Sequence, residues 1–318
     1  MAFFVRNNIL TAYKPPECLW IWCKVPGTKT IPKIQSAWHP NNKGDFPMDT
    51  ISFFEQKLQS NQEPIETVEQ NWDQKAEMFY RNQVTGSTYY NRAVPRLLEQ
   101  KGIVTPSSTL LDIGAGSGRY AIPFAQICQS VHALDLSSEM LRYMQQEIEK
   151  HNLTNIHMTK SAWPTAEEIG EFDIAFAAMC PATRSIEALR EMSKTASKYG
   201  VICQFTASTD RVMEALKEHY VIDTDPKGPH HNRNILQAYF NILWELGYEP
   251  EISYLRDTFE VHMTITEAVD TYRKRYDQAE AEQIRKVINT IQQDGMINNR
   301  KYTTLAVISW ETRGRGDK

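Results

Sequence analysis

Only five cysteines occur in the 318 residues, at positions 18, 23, 128, 180 and 203, and their odd number and scatter imply no disulfide framework. Cys18 and Cys23 are separated by four residues with no second pair to complete a tetrahedral site, so no metal is expected. Long apolar runs are lacking too; none approaches the roughly 20 residues of a membrane-spanning helix. Nor is there an excess of one charge. A formal net charge of −4 gives no broad attraction to nucleic acid or to an anionic lipid surface. The start, Met1-Ala-Phe-Phe-Val-Arg, lacks the basic opening and long apolar centre of a secretory signal. The expectation is a cytoplasmic protein with neither nucleic acid nor membrane as partner; the oligomeric state is not written in such features.

The remainder is ordinary for a globular chain, at 41% hydrophobic and 23% charged residues. Residues 1–47 differ from the rest of the chain. They are rich in Pro, Trp, Asn and Lys and carry six basic residues against two acidic ones, with no helical or alternating period. A poorly ordered extension is expected there, with a docking arm built on Trp20, Trp22 and Trp38 as the alternative. Amphipathic patterns then predict helices over 50–60, 65–82 and 90–101, a helical cap across 48–104. From 105 to 312, strand and helix signals alternate. Strands are expected at 109–113, 131–134, 156–159, 172–177 and 200–205, and helices at 119–129, 138–151, 184–198, 209–219 and 232–246. Two long strands, 251–263 and 302–310, close the pattern around a helical insertion at about 264–296, opened by the capping box Thr264-Ile-Thr-Glu267. That insertion is expected to form a lid, and 313–318 a frayed tail.

The chemistry concentrates at Asp112-Ile-Gly114-Ala115-Gly116-Ser117-Gly118. An apolar run ends in an acid, a glycine turn lets a ligand touch bare backbone, and a helix start comes directly after. Asp135 closes the next apolar run, 23 residues after Asp112. An adenosine-containing cofactor is implied. The dinucleotide fingerprint wants a small residue where Arg119 stands, and a pyrophosphate at this turn would meet Asp112 as a like charge. An amino-acid ammonium would instead be attracted by that acid, which favours S-adenosylmethionine over NAD or FAD.

On these residues the chain resembles the class I S-adenosylmethionine-dependent methyltransferases. The first motif matches that family's D/E-x-G-x-G-x-G, and Asp135-Leu136-Ser137-Ser-Glu-Met140-Leu141 is similar to its D-x-S-x-x-M-L segment. Upstream, Trp72-Asp73 to Tyr80 is similar to the W-D-x-x-A-x-x-Y helix ahead of the sheet in small-molecule members. The resemblance spans roughly residues 65 to 310. It implies an α/β, Rossmann-like sheet, mostly parallel with an antiparallel edge, with helices on both faces and helical cap elements. It also implies methyl transfer to a small molecule, with Asp135 on the ribose hydroxyls and Leu136 and Met140 near the adenine.

Two departures matter. Where the family often carries Gly-Asp-Ala, whose Asp bonds the adenine amino group, this chain has Ser161-Ala162-Trp163. That contact is expected from backbone or Ser161, with Trp163 covering the ring instead and Ala162 also in the cofactor site. After the fourth strand Met179-Cys180-Pro181-Ala182 replaces the N/D-P-P-Y/F of base methyltransferases, which argues against nucleic-acid acceptors. Met179 and Cys180 are expected to line the site. Tyr80 is a candidate cover, and His230, with His231 beside it, a candidate base or substrate contact. A cofactor-binding protein without catalysis, and a protein or RNA methyltransferase, are the alternative readings; a dehydrogenase ranks last.

Overall fold

The structure is a computed structural model that describes residues 49–58, 63–166, 168–219, 232–276 and 279–312. The readings made for residues 1–47, His230, His231 and the 313–318 tail lie outside the described residues.

Three helices come first: α1 (Thr50–Leu58), α2 (Ile65–Thr85) and α3 (Tyr89–Gln100). Then strands and helices alternate as β1 (Thr109–Ile113), α4 (Ala121–Ala125), β2 (Ser130–Asp135), α5 (Ser138–Lys150), β3 (Ile156–Lys160) and β4 (Phe172–Ala178). After a 3-10 turn at Pro181–Thr183 come α6 (Ile186–Thr195), β5 (Ala196–Asp210), α7 (Arg211–Glu218) and α8 (Arg233–Glu245). The chain finishes with β6 (Glu251–Thr264), α9 (Ile265–Arg275), α10 (Ala281–Ile291) and β7 (Met296–Glu311). The seven strands form one sheet in the order β3-β2-β1-β4-β5-β7-β6. The first five run parallel, and β7 and β6 add antiparallel at the edge. This is the mostly parallel, Rossmann-like sheet with an antiparallel edge that the resemblance implies.

Both faces of the central strands are buried, and the period of two is visible in where each residue packs. Leu110, Ile174, Phe176, Val201 and Cys203 enter the core beneath α3, α4 and α5. Leu111, Ile113, Ala175, Ala177 and Ile202 enter the opposite core with residues of α1, α6 and α8. Trp310 on β7 lies across from Gly200 on β5, and a Cβ on Gly200 would collide with the indole ring. Trp310 is 1% exposed and donates from Nε1 to Ser193 Oγ at 3.0 Å. This ring locks the antiparallel edge onto the parallel sheet.

Three expectations change. The helix expected over 119–129 is only the five residues of α4, because Asn155 Nδ2 takes the carbonyls of Ala125 (2.9 Å) and Cys128 (3.1 Å) and stops it. The single insertion helix is two, α9 and α10, with buried Tyr276 and Ala279 turning between them. The Thr264–Glu267 capping box that opens it is present. The insertion is not a lid. α9 and α10 pack with α7 into a third core of their own, built on Val212, Leu216, Tyr272, Ile284 and Ile288, at the far end of the lengthened β5–β7–β6 strands.

Candidate functional site

A cavity of about 510 Å³ opens at the carboxyl ends of β1, β2 and β4, the edge where open α/β sheets hold ligands. Its floor is the turn after β1. Gly114, Gly116 and Gly118 have φ of 67°, 57° and 86°, which only glycine adopts without strain. At Gly114 space is short as well: an added Cβ would lie 2.5 Å from Cys180 Sγ. Gly118 faces away from the cavity, and a Cβ there would press on Met144 and Ile122. It lets α4 and α5 close on the turn and touches no ligand space.

Asp112 and Asp135 supply the negative charge. Asp112 is 2% exposed, and its Oδ2 has no hydrogen-bond partner among the described residues. Burial, then the nearby Asp135 carboxylate, push its pKa up to about 8. Such an orphaned acid suits a cationic ligand group, as an amino-acid ammonium is. Asp135 is held by backbone donors, Gly116 N–H to Oδ2 at 2.7 Å and Ser137 N–H to Oδ1 at 2.8 Å. Its pKa is also raised, chiefly by burial.

One wall is α2, latched to the sheet at several points. Asp73 Oδ1 accepts from Ser137 Oγ at 2.6 Å and from Glu139 N–H at 3.1 Å, which ties the helix to the loop after Asp135. Gln83 holds the glycine turn, donating to the Ser117 carbonyl at 3.2 Å and accepting from Ser117 Oγ at 2.8 Å. Ile65, Val68, Trp72, Lys75 and Phe79 of α2 line the cavity. Tyr80 is not among the lining residues. Its hydroxyl donates to Glu147 Oε1 at 2.7 Å and its ring stacks on Tyr143, on the α5 side of the helix. The three-residue step of the W-D-x-x-A-x-x-Y pattern, counted from Ala76, falls on Phe79, so the covering aromatic is Phe79.

The other wall is the segment after β4. Met179 lines the cavity with φ of 49°, a left-handed backbone in a residue that has a side chain. Strain of this kind collects at working sites. Cys180 lines it too, and burial pushes its thiol up to about 12, which keeps it protonated and a poor nucleophile. Leu136, Met140, Ala162 and Trp163 line the β2–β3 side. The indole Nε1 of Trp163 donates to the Ala188 carbonyl at 3.3 Å, so this ring forms part of the core as well as a cavity wall.

Of the twelve residues expected around a cofactor, eleven line this one cavity, and Gly118 braces it from behind. Sequence reasoning missed Asp73 and Gln83 as latches and two lining guanidinium groups, Arg119 and Arg184. No histidine is among the described lining residues.

A family model described as a methyltransferase domain matches residues 110–200. An uncharacterized protein of Haemophilus influenzae is 35% identical over 109 residues, 33% of this chain, and the match covers 38% of that relative's length. A probable cobalt-precorrin-6B C(15)-methyltransferase (decarboxylating) of Methanobrevibacter smithii is 27% identical over 139 residues, covering 42% of this chain and 73% of its own. Among solved structures, a putative methyltransferase of Bacillus halodurans superposes with a TM-score of 0.46 at 16% identity, over 69% of this chain and 98% of its own. Residues 110–200 are thus similar to a methyltransferase domain, and the match spans less than half the length of the Haemophilus influenzae relative.

Proposed function

We propose that this chain transfers a methyl group from S-adenosylmethionine to a small-molecule acceptor. The observation that carries the reading is the orphaned, buried carboxylate of Asp112 beside a glycine turn, within a cavity that continues past both onto the wall after β4. Asp112, Gly114, Ala115, Gly116 and Ser117 would hold the amino-acid end of the cofactor. Asp135, Leu136, Met140, Ala162 and Trp163 would hold its nucleoside, and Met179 would border the acceptor.

The sulfonium supplies an already activated methyl group. What remains for the chain is alignment and exclusion of water, and alignment alone is worth roughly 7–11 kcal/mol in favourable cases. The α2 wall, with Trp72 and Phe79, closes the cavity over that space. A volume of about 510 Å³ lies within the roughly 300–1,000 Å³ of small-molecule sites. The likeness to a precorrin methyltransferase, itself named for a small-molecule acceptor, supports the same class.

Isothermal titration with S-adenosylhomocysteine and with NAD tests the cofactor. Binding of the first and not the second is expected, and the reverse sinks the proposal. Mass spectrometry of reactions supplied with fractionated small metabolites should then detect S-adenosylhomocysteine formation. Turnover only with protein or RNA fractions would move the acceptor to those classes.

A further inference from the structure

We propose that Arg184 anchors a carboxylate of the methyl acceptor, which makes the acceptor an anionic, carboxylate-bearing small molecule. This rests on the methyltransferase reading and adds the chemical class of the second substrate. Arg184 directly succeeds the 3-10 turn after β4 and lines the cavity beside Cys180, Ala182 and Ser185. It is 9% exposed, yet its Nε has no hydrogen-bond partner, and it makes no ion pair among the described residues. A buried guanidinium without a counter-charge is costly to keep unless a ligand supplies one.

Nearby groups do not supply it. Glu55 of α1, the acid at the start of α6, spends Oε1 on the Ile186 N–H at 3.1 Å. Glu63 lines the cavity but already has a partner. Tyr239, whose phenol shares a 2.8 Å hydrogen bond with Thr183, also hydrogen-bonds the Arg184 side chain, but as a neutral hydroxyl held up at about 12 by burial it brings no counter-charge.

Charge accounting separates this group from the cofactor. The amino-acid end of S-adenosylmethionine carries one carboxylate, and Arg119 at the glycine turn is a cavity-lining cation for it. The cofactor's ammonium would face Asp112, and Asp135 would take its ribose hydroxyls. Arg184, on the wall after β4, is left over, so a second carboxylate must come from the acceptor. A guanidinium fork matches a carboxylate in two parallel hydrogen bonds. A single fork among Cys180, Pro181 and Ala182 suits one negative charge better than the nearly two of a phosphate monoester.

The test uses the full chain saturated with S-adenosylhomocysteine, titrated calorimetrically with benzoate, benzamide and inorganic phosphate. Benzoate is expected to bind, and benzamide and phosphate at least tenfold more weakly. Arg184→Met should weaken benzoate by about 10–100-fold while leaving S-adenosylhomocysteine within twofold. Arg184→Lys should fall between. Removing an unpaired buried charge should not lower the melting temperature, and Arg184→Lys keeps the test open if Arg184→Met folds poorly. Benzoate binding unchanged in Arg184→Met, benzamide or phosphate equal to benzoate, or no probe bound by the wild-type complex overturns the proposal. So does a loss of S-adenosylhomocysteine in Arg184→Met as large as that of benzoate, which would give the guanidinium to the cofactor. Failure of the wild-type chain to bind S-adenosylhomocysteine at all would instead sink the methyltransferase reading.

Discussion

The two walls of the cavity are built on opposite principles. Along α2 the polar groups are satisfied within the protein: Asp73 by Ser137 and Glu139, Gln83 by Ser117, Tyr80 by Glu147, and Glu69 by Lys160 at 2.6 Å. On the sheet side Asp112 Oδ2 and Arg184 Nε have no partner among the described residues, and Met179 holds a strained backbone. A satisfied polar group fixes architecture, whereas an unsatisfied buried one is a standing demand for a ligand. Substitution should therefore cost stability on one wall and binding on the other.

The largest effect is expected at Asp112. Asp112→Asn should weaken S-adenosylhomocysteine by about 10–100-fold in calorimetry, the worth of a charge-assisted hydrogen bond. The ligand-free melting temperature should not fall, because the variant removes an unsatisfied acid. A stability loss with unchanged affinity would place Asp112 with the latches and erase the contrast.

Asp73→Ala is the counterpart. It removes both acceptor contacts and should cost about 1–3 kcal/mol of stability. At roughly 2–4 °C per kcal/mol for a large domain, differential scanning calorimetry resolves the shift. Affinity should suffer only through the loosened loop after Asp135.

The last effect is a slope. Asp112 has a folded-state pKa of about 8, above its ordinary 3.8, so between these values the folded chain binds more protons than the unfolded one. Its stabilising contribution is complete below about pH 4 and is lost as pH rises towards 8. Melting temperature of the ligand-free protein should carry this decline, and Asp112→Asn should lack it. Cofactor affinity should rise over the same range, since the bound cation favours the ionised acid. A pH-independent affinity would show that Asp112 does not face the charge.

Where backbone conformation dictates residue type, the sequence was readable. Gly114, Gly116, Asp135 and the Thr264 capping box announce themselves locally, and alternating apolar runs locate every strand. Lengths were less legible. β5 and β7 continue past their apolar stretches because each pairs with the other over eleven residue pairs, a non-local cause. The end of α4 is set by Asn155, 30 residues further along from Ala125. Arg184 was hidden for another reason. With Glu187 three residues on, it reads as one more charge on a solvated helix, and only the tertiary fold turns it inward.

The contact between Gly114 and Cys180 has one more consequence. The sulfur sits where a side chain on residue 114 would have to go, so the glycine turn and the wall after β4 share a single gap only one side chain wide. Neither position can grow unless the other shrinks. Altered acceptor size, whether by selection or by engineering, should then arrive as a matched pair of changes at 114 and 180, and any bulk added at 180 alone should be felt first by the cofactor.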